Sequence, residues 1–368
     1  MSAASERLPS LDVFRGLSIA AMILVSTPGS WSAVYAPLDH ALWNGWTLTD
    51  LVFPFLLFAM GAAVPVTMAR RRGSRVRHHV WQRGLMLFAI GLLLNLITLN
   101  RPFQWSSFPL LGVLQRIAIV YVVIAWLTER TSTRTQVIVA AVTLVLYWAA
   151  MMWVPVPGVG PGVLTPEGNL ASFIDRQVLH GHMWHPPWEA EGILSTAPAV
   201  VTALAGTFAG DWLTRGGSQR HRSLFLWAAG AGATLVGLWW DRVFPINKNL
   251  WTSSFALFSA GLAAQVLAIC HWALDLHRHA DTASVPLQAF GRNPLSAYVG
   301  SVVLDRSLTR WTIGGADAKS LIYSRAFASW GVPCCGAEAA SLFYALAYVA
   351  FWGMVVWLLF RKRIFIGL

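Results

Sequence analysis

The sequence predicts an all-α polytopic integral membrane protein of about ten transmembrane helices with both termini cytoplasmic. Three observations carry this. First, 56% of the 368 residues are hydrophobic and only 12% are charged, where soluble domains carry roughly 25% charged residues. Second, mean hydropathy is +0.55, and the apolar residues fall in runs long enough to cross a bilayer. Third, the basic clusters RRRGSRVRHH, TERTSTRT, TRGGSQRHR, LDLHRHAD and the tail RKR follow alternate runs, as expected when short Lys/Arg-rich loops stay in the cytoplasm. The net charge of +11 is thus a topology signal. The arginines sit between apolar segments, not along one basic face with stacking aromatics, which argues against nucleic acid. Cys270, Cys334 and Cys335 match no metal-ligand spacing and no disulfide framework.

Taken in order, the helices are expected near 11–27, 47–69, 80–98, 109–127, 137–154, 192–213, 223–240, 251–272, 286–304 and 339–360, as one transmembrane domain over 1–368. The first run begins at Leu11 and is interrupted by Asp12 and Arg15, a poor signal-peptide core, so it is read as retained. Loops at 28–46, 99–108, 155–191, 241–250 and 305–338 then face outward. The two longest are of a length that caps or lines a site. Tryptophans near predicted helix ends, among them Trp31, Trp105, Trp153, Trp251 and Trp311, suit the headgroup level. Trp43, Trp184 and Trp188 lie beside polar residues in outer loops, where an indole can instead stack on a sugar ring.

Polar chemistry meets the membrane in PLDHALWNGWTLTDLVFPFLLFAMG, residues 37–61. An ionisable side chain at the mouth of a transmembrane helix marks a cavity, pathway or partner, which makes His40 and Asp50 the first catalytic candidates. Asp12 and Arg15 are three apart and can pair on one helical face. Alternatively Arg15 joins Arg83, Arg116 and Arg292 to bind a polyanion from the cytoplasm, since guanidinium forks suit phosphate. Arg116, inside an apolar run, needs a partner. On the outer side Glu189 and Glu191 precede the sixth helix, and Asp241, Lys248 and Asn249 lead into the eighth. FGRNPLSAYVGS carries Arg292 and Asn293 into the ninth. HGHMWH has no helical i, i+4 spacing of histidines, and no metal is expected.

These segments resemble the heparan-alpha-glucosaminide N-acetyltransferase family, most closely its bacterial NagX-type members. The resemblance rests on SLDVFRGLSIAAMILV, HALWNGWTLTDLVFPFLLFAMG, LGVLQRIAIVY, EGILSTAPAVVTALAGTFAG, FPINKNLWTSSFALFSAG and GRNPLSAYVG, in that order over nearly the whole chain. It implies acetyl-coenzyme A (acetyl-CoA) entering from the cytoplasm as acetyl donor and an amino sugar acetylated at the far side of a bacterial inner membrane. His40 matches the family's active-site histidine in HAxWNG, and Asp50 the acid of DLVFP. The resemblance makes Arg15, Arg83, Arg116, Arg292 and Asn293 coenzyme-binding candidates and implies a homodimer, which the small-residue runs at 61–64, 203–210 and 228–237 permit.

The chemistry is coherent without the name. An amine attacking a thioester must lose a proton, and a neutral imidazole such as His40 can take it. Asp50 can hold its tautomer, and Asn44 or Asn293 can donate to the developing oxyanion. His40 can equally carry the acetyl group itself. Trp43, Glu191, Asp241 and Lys248 are the substrate-binding candidates. The alternative is an inner-membrane permease for N-acetylglucosamine, in which the same residues line a pathway.

Overall fold

The computed structural model describes residues 8–70, 74–99, 102–276 and 284–365. Parts of two expected cytoplasmic basic loops, at 71–73 and 277–283, lie outside the described residues. Among those described, the chain is almost wholly helical: α1 (Pro9–Ser26), α2 (Leu48–Arg70), α3 (Ser74–Thr98), α4 (Val113–Arg130), α5 (Thr133–Trp153), α6 (Leu170–Leu179), α7 (Thr196–Thr214), α8 (Gln219–Trp240), α9 (Ser253–His271), α10 (Val285–Arg292), α11 (Pro294–Arg310), α12 (Ala318–Tyr323), α13 (Ser329–Cys335) and α14 (Ala337–Arg361). Seven described helices, α1, α2, α3, α5, α8, α9 and α14, are long and apolar enough to cross a bilayer, which makes this a multi-pass membrane protein. The other three expected spans differ for visible reasons. The α4 helix carries Arg116, Glu129 and Arg130, and α7 is built largely from Ala, Gly and Thr. The α11 helix has 17 residues and includes Asp305, Arg306 and Arg310.

The ninth expected span, 286–304, is two helices. Pro294 follows Asn293 and has no N–H to continue α10, so α10 ends and α11 begins with proline at its first position. Asn293 is wholly buried at the break. The two longest loops, at 155–191 and 305–338, are partly helical too. Asn169 caps α6 by accepting from the Ser172 amide at 2.8 Å, and α11 is followed by a two-stranded hairpin, Thr312–Ile313 with Ala316–Asp317. Its turn residues Gly314 and Gly315 have φ of 61° and 88°, the left-handed pair that tight hairpins need.

Small residues decide which helices touch. In the α2–α7 contact, a Cβ placed on Gly61 would fall 1.9 Å from the Ala203 carbonyl oxygen, and one on Gly206 would fall 2.0 Å from that of Phe58. The runs at 61–64 and 203–210 are thus consumed within the chain. In the 228–237 run Gly230 lies against Gly261 and Gly237 against Phe258 of α9, while Gly232 faces open space. The main core lies where α2, α4, α7 and α9 converge, with Phe53, Leu57, Val120, Ile124, Leu204 and Phe255 buried.

Candidate active site

His40 and Asp50 are brought together by the way α2 starts. Thr47 precedes α2 and Asp50 is its third residue, so the Asp50 carboxylate reaches back to accept from the Thr47 amide at 3.0 Å through Oδ2. This is one half of a capping box, the Asp50 amide itself donating to the Thr47 carbonyl, and it places a carboxylate at the positive end of the helix. The same Oδ2 accepts from the Ala41 amide at 3.0 Å, which folds the 39–47 loop over the helix end. The Thr47 hydroxyl spends its proton on the Asp39 carbonyl at 2.5 Å. With Oδ2 so held, Oδ1 is left for His40, whose Nδ1 lies 2.7 Å away. Asp50 is 1% exposed, while the His40 side chain is about half exposed at 51%. A carboxylate oxygen at 2.7 Å fixes the proton on Nδ1, because two lone pairs would otherwise face each other. Nε2 is then the basic nitrogen.

A third group completes the cluster from far along the chain. Lys248 Nζ lies 3.5 Å from Asp50 Oδ1 and 3.1 Å from His40 Nδ1. Its loop is stitched to that of His40: the Gly45 amide donates to the Ile246 carbonyl at 2.7 Å, and Asn247 Nδ2 donates to Asn44 Oδ1 at 3.1 Å. Asn44 thereby keeps its own amide protons for another acceptor. Burial lowers the proton affinity of Lys248, and the nearby charges of Asp50 and Glu191 oppose that shift. Just past the lysine, Trp251 adopts φ 48°, an outlier conformation for so bulky a residue. It is held there by its indole N–H on Thr202 Oγ1 at 3.1 Å and by edge-on packing against Phe53 and Phe255.

The heparan-alpha-glucosaminide N-acetyltransferase catalytic family model matches residues 7–239, which takes in His40, Asp50 and the helices from α1 to α8. The chain belongs to this family. It is similar to the human heparan-alpha-glucosaminide N-acetyltransferase, with 27% identity over 99% of this chain and 60% of that protein. The mouse heparan-alpha-glucosaminide N-acetyltransferase matches with 27% identity over 98% of this chain and 60% of its length. The chain thus spans about 60% of the length of these curated relatives.

In this family member the four expected arginines do not gather in one place. Arg15 and Arg83 line a common cavity of about 260 Å³ between α1, α2, α3, α4 and α11, with Tyr121, Pro294 and Tyr298 among its walls. Arg83 stacks over the Tyr121 ring at 4.8 Å, and its buried Nε has no hydrogen-bond partner. Arg292 is committed elsewhere, 3.1 Å from Asp12 and over the Phe360 ring. The expected Asp12–Arg15 pair is the looser one at 3.8 Å. Asn293 sits at the α10–α11 break, next to the cavity residue Pro294. Arg116 does not face this cavity. It lies three residues into α4, at the His40 end of the bundle, 1% exposed. There it donates to Ser195 Oγ at 2.5 Å and to the Gly192 carbonyl at 3.2 Å and packs over Trp251. The sequence groups it with Arg15, Arg83 and Arg292; the structure places it apart from them, beside Ser195 and Trp251 near the start of α4.

The remaining candidates divide similarly. Trp43 meets Trp188 edge to face at 5.4 Å, while Trp184 is separate, its indole donating to the Leu111 carbonyl. Asp241 accepts from the Ile246 amide at 2.6 Å and closes the turn after α8 instead of reaching His40. Glu191 lines a second cavity of about 170 Å³ with Asn95, Gln115, Trp184 and Tyr298. Around it stand two unusual acids, Glu189 of the 180–195 loop and Asp175 of α6, which accepts from the Ile193 amide at 2.9 Å: burial pushes Glu189 up to about 8 and Asp175 up to about 6. Trp251, expected at the headgroup level, is a core residue at 1% exposure. Thr47, Asn247 and Trp251 belong to the site but are not among the candidates that the sequence offers. The T-x-x-D spacing of a capping box was the legible signal for the first; no local signal identified the other two.

Proposed function

We propose that this chain is a single transmembrane acyltransferase domain of ten spans, both termini cytoplasmic, in a bacterial inner membrane. In this reading it transfers acetyl from cytoplasmic acetyl-CoA to the amino group of glucosamine or a glucosamine-terminated sugar at the periplasmic side. The observation that carries it is the dyad of His40 and buried Asp50 at one end of the bundle, in a chain of this family, with Arg15 and Arg83 facing a cavity that reaches toward the other end. From Val113 to Tyr121 of α4 that cavity extends about 12 Å, at 1.5 Å per residue. Its cationic groups suit the coenzyme phosphates, and its walls of Leu56, Met60, Leu87 and Ile117 suit an uncharged arm.

The reaction then follows from the residues. Nε2 of His40, left unprotonated because Nδ1–H is held by Asp50 and lying 3.5 Å from Lys248 Nζ, takes a proton from the acceptor amine as its nitrogen attacks the thioester carbonyl. Negative charge develops on the carbonyl oxygen, where the unspent Asn44 amide and the Lys248 ammonium are the available donors. Collapse breaks the C–S bond, and the imidazolium returns its proton to the departing thiolate, leaving amide and thiol. Asp50 stabilises the imidazolium that forms in between. Nε2 is equally the atom that would carry acetyl in a two-step route. A histidine whose Nδ1 proton is held by a buried carboxylate is what base catalysis at Nε2 requires, and this, with the family match, favours the transferase over a permease.

The test is transfer of labelled acetyl from coenzyme A to glucosamine by the purified protein. Transfer that depends on His40 is the expected result, and a folded preparation that binds no acetyl-CoA would sink the reading.

A further inference from the structure

We propose that the cavity between α3, α4, α11 and the 180–195 loop is the seat of the acceptor's protonated amine, held by Gln115, Asn95 and Glu191. The inference rests on the acetyltransferase reading and names where its second substrate binds. The starting point is Gln115, which is 1% exposed yet has neither Oε1 nor Nε2 hydrogen-bonded. Buried carboxamides rarely stand so without a reason. Nor is Gln115 squeezed there by larger neighbours. It lies against two glycines: a Cβ on Gly91 would come 2.5 Å from its Oε1, and one on Gly112 would come 3.0 Å from the same atom. Space has been kept for this side chain within a cavity of about 170 Å³.

The other polar groups say what fits. Asn95 spends both protons of Nδ2 on the carbonyls of Pro109 and Leu111, each at 3.0 Å, so its Oδ1 is what it has left to offer. Trp184 spends its indole N–H on Leu111 and has only its ring to offer. Glu191 brings a carboxylate. The unspent groups are therefore mostly acceptors, with Gln115 Nε2 as one donor. A phosphate or carboxylate would be repelled by Glu191, and a neutral amide would satisfy Gln115 alone. A primary ammonium flanked by hydroxyls satisfies all three and lays an apolar ring face against an indole, which describes an amino sugar.

The surroundings agree with an acceptor meeting a donor. The cavity shares Val113, Leu114 and Tyr298 with the arginine-lined cavity, and Thr98, Tyr298 and Val302 with a third, of about 510 Å³, that carries Asp305 and Lys319. Tyr298 borders all three. Glu191 also acts electrostatically on Lys248, which touches His40. An ammonium loses two protons on acetylation. The first is released to water as the ammonium leaves this seat, and the second is the one that His40 takes from the amine at Nε2 and returns to the thiolate.

The test uses the full-length protein in detergent, with calorimetric binding of glucosamine, N-acetylglucosamine and glucose, alongside steady-state transfer. Gln115→Leu removes only groups that have no protein partner, so it should fold; Glu191→Gln keeps shape and removes charge. Both should raise KM for glucosamine at least tenfold and weaken its direct binding, with KM for acetyl-CoA within twofold of wild type. Wild type should bind glucosamine in preference to glucose and N-acetylglucosamine. Unchanged glucosamine binding in both folded variants would overturn the proposal, as would a rise confined to the KM for acetyl-CoA, which would give this cavity to the donor's arm. A wild-type protein that binds glucosamine through Gln115 but transfers no acetyl would leave the site standing and remove the acetyltransferase reading.

Discussion

Replacing Asp50 by asparagine tests the dyad with the least disturbance. The two backbone donors on Oδ2, from Ala41 and Thr47 at 3.0 Å each, are buried with the carboxylate and cannot be left without an acceptor. The asparagine carbonyl must therefore turn toward them, which points its NH₂ at His40 Nδ1, now 2.7 Å from a carboxylate oxygen. An NH₂ donor there forces Nδ1 to accept and moves the ring proton to Nε2, the nitrogen that should receive the amine proton. The capping geometry of α2 survives while the base is lost. General-base contributions of roughly 10² to 10⁴ correspond to about 2.7 to 5.4 kcal/mol at 1.36 kcal/mol per factor of ten. Steady-state transfer of labelled acetyl should fall by that factor, with acetyl-CoA affinity within twofold of wild type, because Arg15 and Arg83 are untouched. A folded Asp50→Asn protein with turnover within about threefold of wild type would refute the tautomer argument and with it the assignment of His40 as base.

Other substitutions separate the two ends of the bundle. Arg83→Ala removes a guanidinium whose Nε has no protein partner; losing a charge-assisted bond of about 1.5 to 3 kcal/mol should weaken acetyl-CoA binding by roughly 10- to 100-fold, measured by calorimetry, with little loss of thermal stability. Arg116→Ala should do the reverse: Gly192 keeps its bond from Thr196 Oγ1, but Ser195 Oγ loses its guanidinium donor and Trp251 the group packed over its ring, lowering the melting temperature while coenzyme affinity in the folded fraction holds. Gly206→Ala drives a methyl to 2.0 Å from the Phe58 carbonyl oxygen; overpacking of this kind costs about 1 to 3 kcal/mol and should cut the monodisperse yield on size exclusion. Glu189, pushed up to about 8 from an ordinary value of 4.5, binds more proton folded than unfolded between those values, so stability is full below about 4.5 and falls as pH rises through about 8. The wild-type melting temperature should decline across that window, and Glu189→Gln should flatten the decline.

What the sequence made legible was set by range. His40 and Asp50 are ten residues apart, and both their pairing and the capping signal T-x-x-D lie in one stretch that could be read directly. Arg15 and Arg83 are legible as charges inside apolar runs, although their shared cavity needs α1 and α3 to be placed on walls of one space. Lys248 could be marked as polar but not brought to His40, because the Gly45–Ile246 and Asn44–Asn247 bonds that join the loops cross about two hundred residues. Arg116 was misplaced because hydropathy reports depth in a run and not which end of the bundle that depth is counted from. Trp251 misled for a related reason: a tryptophan at a helix end is usually interfacial, but this helix end dips into the core where α2 and α7 meet it.

The placement of Asp50 also shows why the site is built on a helix start and not on a loop alone. A carboxylate in a flexible loop would orient a histidine only as well as the loop is ordered. Here the N-terminus of α2 holds it through the Thr47 amide, and α2 is fixed against α7 by glycine contacts too close to permit sliding. The same α7 begins beside Ser195, which receives Arg116, and carries Thr202, which receives the Trp251 indole. One rigid pair of helices therefore sets the dyad, the arginine held by Ser195, and the strained tryptophan that ends the Lys248 loop. Lys248 is consequently delivered to Asp50 by the same packing that orients Asp50, and a change at the α2–α7 seam should move all three groups together rather than any one of them.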